Sequence, residues 1–374
     1  MKIVSVMTGA APGGAEFAAV ELLDALIERG HEAVMLSDSA EIGRETRVEV
    51  HPLQLGPKLS GSTWPRLALR WRSLRGELRR ALEAEAPYDL LLLHYKKEQL
   101  LAPGLPAALR PQIAWCEWGP VPRQMRQGPG RWAYARASRQ VGPVLAISEG
   151  TRRSVIDAGV EAAKVTALPN AMRTEEIRFS AEGRVRVRAE LGIPDAAFTV
   201  GCISRFHPKK RNDVLIDAVA MLGEGTHLIL AGSGETEAEL RAHAASLGER
   251  AHFLTTPGAE VGDVLSAFDV SVFCPSPAEG QPRAVILGML AERPCVSTGA
   301  EGVVGLIEEE FGTIVSPEND PDAVAAALRP YEEDPERVRR EGALAAKRAI
   351  ERFDRTVVAA QAERLIEAAR EPRG

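Results

Sequence analysis

No apolar run in this chain approaches the length of about 20 residues that crosses a bilayer as a helix, so a membrane-spanning segment is not expected. Cysteine is scarce: Cys116, Cys202, Cys274 and Cys295 are widely scattered, with no Cys-x-x-Cys pair and no clustered histidine. That spacing argues against a disulfide framework and against structural zinc, and it fits a reduced, cytoplasmic protein. Low-complexity tracts are also lacking, and 45% hydrophobic with 26% charged residues is the make-up of an ordinary globular chain. A strong charge of one sign is missing too. The net charge is −6, yet residues 1–150 hold 19 Lys+Arg against 16 Asp+Glu, which leaves about −9 in the remainder. The asymmetry is too mild for a nucleic-acid partner and fits a first half that meets an anionic substrate or membrane surface.

What is present is alternation. A length of 374 residues suggests two domains. The opening MKIVSVMTGAAPGG breaks after a short apolar run and reads as a first strand rather than a signal peptide. KIVSVM, EAVMLS, YDLLLLH, QIAWC, PVLAIS and KVTALP are short apolar runs separated by Ala/Leu/Arg-rich helical stretches. Strands apolar throughout predict an α/β fold with a parallel sheet covered on both faces. The rhythm fails over 169–194, read as a linker between an N-terminal domain of residues 1–168 and a second doubly wound domain of residues 195–355. FTVGCIS, HLILAGSG, AHFLTT, DVSVFCP, RPCVST and GTIVSP are its strands, and residues 356–374 form a helix expected to return to the first domain.

Ligands of such sheets bind beyond the carboxyl ends of the strands, where four short segments fall. Gly13-Gly14-Ala15-Glu16 opens the first helix; paired glycines admit a ligand to the backbone, and free amides at a helix start attract phosphate. A tight turn explains the same residues equally well. Ser204-Arg205-Phe206-His207-Pro208-Lys209-Lys210-Arg211 places a forked and a point cation, Arg205 and Lys210, at the end of the first strand of the second domain. The alternative is a solvated basic loop. Gly232-Ser233-Gly234-Glu235 is a small-residue turn for which an ordinary left-handed turn suffices. In Pro275-Ser276-Pro277-Ala278-Glu279-Gly280-Gln281-Pro282-Arg283, the Glu279 carboxylate can accept sugar hydroxyls while the amides after it face a phosphate; simple complementation of the helix dipole is the alternative.

In this order and spacing, the run GGAE, ISEGTRRSV, LPNAM, SRFHPKKRNDVLIDA, LILAGSGETEAEL and AEGQPRAVILGMLAERPCVST resembles the family 4 retaining glycosyltransferases of the GT-B fold over essentially the whole chain. The resemblance implies two Rossmann-like domains facing a central cleft and a nucleotide-sugar donor held mainly by the second. Arg205 and Lys210 match the family's diphosphate-binding pair, and Glu279 matches the first Glu of its Glu-x7-Glu motif. Gly280, Gln281, Arg283 and Ala284 match the loop whose amides hold the distal phosphate, although Pro282 has no N–H to give. Gly13, Gly14, Ser233, Glu235 and Thr256 complete the donor-side candidates. Two positions depart from the pattern. The motif's second Glu, which holds the ribose, falls on Leu287, which accepts no hydrogen bond. The family's catalytic-face His falls on Trp118, so Glu117 or His94 is left to position the acceptor, unless His94 is simply a capped strand-end histidine.

Members of that family need neither a metal nor another cofactor, and no Asp-x-Asp stands at a strand end here. The acceptor side is quieter. The helix 65–85 carries Leu67, Trp71, Leu74, Leu78 and Leu82 on one stripe with arginines beside it, either a peripheral contact with the inner face of a membrane or a packed helix with a solvated basic face. Arg123, Arg126 and Arg131 add an anionic acceptor site or plain surface charge. A nucleotide-sugar epimerase or hydrolase, and a nucleotide-binding scaffold that has lost catalysis, remain as other readings.

Overall fold

The computed structural model describes residues 1–9, 13–43, 46–255, 260–276, 279–316 and 320–369. The chain divides into two compact units, unit 1 being Met1–Met172 with Arg355–Gly374 and unit 2 being Arg173–Asp354.

Unit 1 runs β1 (Lys2–Met7), α1 (Gly14–Glu28), β2 (Glu32–Ser37), β3 (Glu49–Pro52), α2 (Trp64–Leu69), α3 (Trp71–Glu85), β4 (Leu90–Leu93), α4 (Lys96–Leu101), β5 (Ile113–Glu117), α5 (Gly128–Ser138), β6 (Val144–Ala146), α6 (Glu149–Asp157) and β7 (Val165–Ala167). Its seven strands pair in parallel in the order β3-β2-β1-β4-β5-β6-β7. Successive residues of β4 alternate between two cores: Leu91 and Leu93 join Val4, Val6 and Trp115 on one face, Leu90 and Leu92 join Ile3, Met35 and Leu23 on the other. A strand buried on both faces has no polar side to show, which is why these runs read as continuously apolar.

Unit 2 runs α7 (Ala181–Glu190), β8 (Thr199–Ile203), α8 (Asn212–Ala220), β9 (His227–Ala231), α9 (Glu237–His243), β10 (Ala251–Leu254), α10 (Val261–Ala267), β11 (Val270–Phe273), α11 (Arg283–Leu290), β12 (Cys295–Thr298), β13 (Gly312–Val315), α12 (Pro321–Glu333) and α13 (Pro335–Phe353). Its six strands are parallel in the order β10-β9-β8-β11-β12-β13. The last helix, α14 (Arg355–Ala368), lies on α1 in unit 1, where Val358, Ala359, Ala362 and Ile366 enter the core and Arg355 reaches Asp24 (3.2 Å) and Glu28 (3.0 Å).

The segment 169–194 is more structured than a connection. Ser180 caps α7 by accepting from the Gly183 amide, α7 packs on α10, and the buried Arg188 binds Asp269 (2.9 Å) and the carbonyl of Ala197 (2.9 Å). Its polar sequence reflects this ion-paired anchoring. The helix expected over 65–85 is two helices that meet at Arg70, and its stripe of Leu67, Leu74, Leu78 and Leu82 is buried in the core. That stripe is taken up by the unit 1 core, while Leu69 and Trp64 on α2 are exposed, and Arg70 and Arg79 pair with Glu77 (3.3 Å) and Glu83 (2.7 Å). No helix among the described residues is long and apolar enough to cross a membrane.

Candidate functional site

Both sheets reverse strand order once, at β1/β4 in unit 1 and at β8/β11 in unit 2, and a doubly wound sheet opens a crevice at that point. In unit 2 the two loops leaving β8 and β11 carry the basic run and Glu279. Phe206, fully buried against Phe253 with ring centroids 6.2 Å apart, pins the first loop. Gly232 and Gly234 let the next loop lie directly on it. A Cβ at Gly232 would stand 2.0 Å from the Ser204 carbonyl oxygen and one at Gly234 2.2 Å from that of Phe206, and both glycines have positive φ. The small residues of that turn thus serve loop packing. Ser233 uses its carbonyl to hold the Phe206 amide (2.8 Å), and Glu235 is exposed, 3.6 Å from His207.

Lys210 donates to Glu279 Oε2 (2.9 Å) across the switch point, with both side chains 23% exposed, and its ammonium lies 5.1 Å from the Phe273 ring centre. Arg205 is exposed and has no ion pair among the described residues. Arg211 adopts the left-handed conformation, φ 47°, and its guanidinium chelates Asp213 (3.0 Å), so the loop turns sharply into α8. Pro282 precedes α11, so Arg283 and Ala284 stand in a first turn whose amides lack intrahelical acceptors. Glu279 and Gly280 are backed by Gly302, where a Cβ would lie 1.6 Å from the Gly280 oxygen; this support was not legible in the sequence. Leu287 is half-buried and packs on the core around Leu265 and Phe268, so its side chain contributes to the fold as well as standing on the first turns of α11. Thr256 lies outside the described residues.

In unit 1, Gly13 precedes α1 with extended backbone, φ −156°, and Gly14 has nothing within 4 Å of a would-be Cβ. Neither glycine is required by the backbone geometry. Glu117, 3% exposed at the end of β5, accepts from Gln99 Nε2 (3.0 Å), Tyr134 Oη (2.7 Å) and the Lys96 ammonium. Burial lowers the pKa of Lys96, and burial together with Glu117 raises that of Tyr134 well above its usual value. Lys96, Gln99 and Tyr134 escaped the sequence reading. The one signal was a charged Lys96-Lys97-Glu98 directly after an apolar strand.

His94 is 2% exposed and has no nitrogen to spare. Trp118 Nε1 donates to its Nδ1 (3.0 Å), which places the ring proton on Nε2, and that nitrogen donates to Ser5 Oγ (2.7 Å). Burial drives its pKa down to about 3, so it stays neutral. His94 is thus a structural histidine rather than an acceptor contact, and Trp118 is its partner. Close by, Glu16 accepts from Lys58 (3.2 Å) and from Tyr95 Oη, and Glu98 accepts from the Thr8 amide (3.2 Å). The four cysteines are buried thiols. Among the described residues, no group of three or more His, Cys, Asp or Glu side chains is arranged to hold a metal ion.

Residues 12–176 match the family described as Glycosyltransferase Family 4, and residues 197–334 match that described as Glycosyl transferases group 1. The chain is 28% identical over 230 residues to a D-inositol 3-phosphate glycosyltransferase of Kineococcus radiotolerans, covering 55% of this chain and 52% of that protein. It is 27% identical over 187 residues to a GDP-mannose-dependent alpha-(1-6)-phosphatidylinositol monomannoside mannosyltransferase of Mycolicibacterium smegmatis, covering 49% and 43%. The chain spans about half the length, or less, of the curated relatives it matches. Among solved structures, Anabaena HepE in complex with UDP superposes with a TM-score of 0.84 at 20% identity, over 98% of this chain and 100% of that one. WaaG, described as a glycosyltransferase involved in lipopolysaccharide biosynthesis, gives 0.70 at 17% identity over 98% and 99%. The two Rossmann-like units are the GT-B fold of these proteins.

Proposed function

This chain belongs to the family 4, group 1 glycosyltransferases, and from that premise we propose that it moves a sugar from a nucleotide-diphosphate donor to an acceptor, with retention of configuration and without a metal or other cofactor. The observation that carries the reading is the Lys210–Glu279 pair across the β8/β11 switch point, with Arg205 on the same loop making no ion pair among the described residues. Arg205 supplies a fork and Lys210 a point charge for the diphosphate, and the first-turn amides of α11 add a positive pole. These groups stabilise the charge that grows on the leaving diphosphate as the bond to the sugar breaks. Glu279 accepts hydroxyls of the donor sugar. The acceptor hydroxyl attacks from the face the diphosphate leaves, its proton passes to the departing phosphate oxygen, and no protein nucleophile intervenes. Gly13 and Gly14, unforced by the fold, leave the backbone open to the ligand.

The relatives named above include a GDP-mannose-dependent enzyme, and HepE is also solved with UDP-glucose. Both support a nucleotide-sugar donor and leave the base and sugar open. The test is thermal stabilisation by UDP, GDP, ADP and dTDP with EDTA present, followed by product analysis with the sugar of whichever nucleotide binds. A shift with one nucleotide and a glycosylated product support transfer. An epimerised or hydrolysed sugar replaces transfer with another activity, and no shift with any nucleotide removes the diphosphate site.

A further inference from the structure

From Trp118 to Ser148 the chain has five arginines, Arg123, Arg126, Arg131, Arg136 and Arg139, and no Asp or Glu, within a protein of net charge −6. Three of them lie on the outer face of α5 and the turn that ends it. Several exposed arginines elsewhere are laced to acids, as in Arg79–Glu83 (2.7 Å), Arg152–Glu149 (2.9 Å) and Arg241–Glu237 (2.9 Å), whereas others such as Arg66, Arg205 and Arg340 stand singly among the described residues. Arg131, Arg136 and Arg139 have no carboxylate partner among the described residues; Arg131 donates only to the Asp157 carbonyl (3.2 Å), and Arg136 sits 5.7 Å from the ring centre of Trp132. Trp132 itself is 67% exposed. These side chains, with Gly128 and Gly159, line a cavity of about 300 Å³. Gly159 keeps its floor open, since a Cβ there would stand 3.0 Å from that of Ala135.

Like charges gathered without a counter-charge repel one another, and an exposed indole leaves apolar surface in water, so in the free chain this arrangement gains only the Arg136–Trp132 and Arg131–Asp157 contacts against that cost. An anion reverses both signs. Guanidinium forks match the oxygens of a phosphate, and the indole face receives the apolar or planar group that the phosphate carries. We propose that the outer face of α5 in unit 1 binds a phosphate ester, independently of Arg205, Lys210 and Glu279 in unit 2. A soluble phosphate ester and the headgroup of an anionic phospholipid share this chemistry.

The full chain carrying Arg205→Ala and Lys210→Ala, which silences the phosphate site of unit 2, is titrated with inorganic pyrophosphate. It is also sedimented with vesicles of phosphatidylglycerol and phosphatidylcholine. Adding Arg131→Ala, Arg136→Ala and Arg139→Ala is expected to weaken at least one of these at least tenfold. Loss of pyrophosphate binding assigns a soluble ligand, and loss of sedimentation alone assigns the lipid. Charge reversal by Arg136→Glu and Arg139→Glu, with Arg131 kept and an unchanged melting temperature, must give the same loss. Binding of neither probe, or equal binding by the parent and the substituted proteins, overturns the site.

Discussion

The two units place polar groups at the ends of the same kind of parallel sheet but treat them oppositely. Glu117 in unit 1 is 3% exposed and has three donors around its carboxylate, including the Lys96 ammonium. Glu279 in unit 2 has a 23% exposed side chain and, among the described residues, forms its ion pair with Lys210 at 2.9 Å. A buried carboxylate ringed by protein donors is closed to solvent, and removing it strands its partners. A half-open pair costs little to separate and keeps lone pairs for another molecule. At these two strand ends, unit 1 encloses its carboxylate while unit 2 leaves its own half open to solvent.

The sharpest break of that contrast is Glu117→Ala. It leaves Lys96 charged and buried, and the expected cost is about 3–5 kcal/mol, read as a lower urea midpoint for the full chain. A midpoint within error of the parent would show that the network bears no weight. Glu279→Ala is expected to do the reverse, lowering transfer by about 3 kcal/mol in the barrier, roughly 150-fold, with little change in melting temperature. If it unfolds the protein and the residual folded fraction turns over normally, Glu279 is structural.

The pH dependence comes next. In unit 1 the folded state holds His94 neutral with a pKa of about 3, whereas in the unfolded chain it takes a proton near 6.5. Stability is therefore complete above the free value and falls as the pH drops below it, by about 1.4 kcal/mol per unit. His252 in unit 2, lowered to about 4 by burial and then by His227, adds a slope of the same sign. Replacing His94 with Gln should flatten the acid limb, and an unchanged slope refutes the assignment. The smallest effect is at Leu287. Leu287→Ala is expected to cost about 1–2 kcal/mol for a half-buried leucine, and Leu287→Glu to destabilise without tightening nucleotide binding. Tighter binding at an unchanged melting temperature would return Leu287 to the ribose.

Much of this was legible beforehand for identifiable reasons. KIVSVM and EAVMLS are β1 and β2 residue for residue, because a strand buried on both faces must be apolar along its whole length. The edge strand β3, Glu49–Pro52, was missed because EVHP is half exposed and carries little apolar signal. The segments SRFHPKKR and AEGQPR sat at strand ends in order, so their meeting at one switch point followed from topology. Lys96, Tyr134 and Gly302 were missed because each acts on a partner remote in sequence.

By itself the sequence determined two parallel sheets, where local hydrophobic period and strand length suffice, and the cations and carboxylate bound for the ends of β8 and β11. Only the tertiary structure decided which of these side chains are enclosed and which are open. Burial and hydrogen-bond saturation depend on what packs around a side chain: His94 was closed by Ser5 and Trp118, Glu117 by Lys96, Gln99 and Tyr134, and Leu287 by the core, while the Lys210–Glu279 pair stayed half open. Neighbours set by chain crossings leave no mark in a local pattern, and that is why sites with equal charge in the sequence part company in the fold.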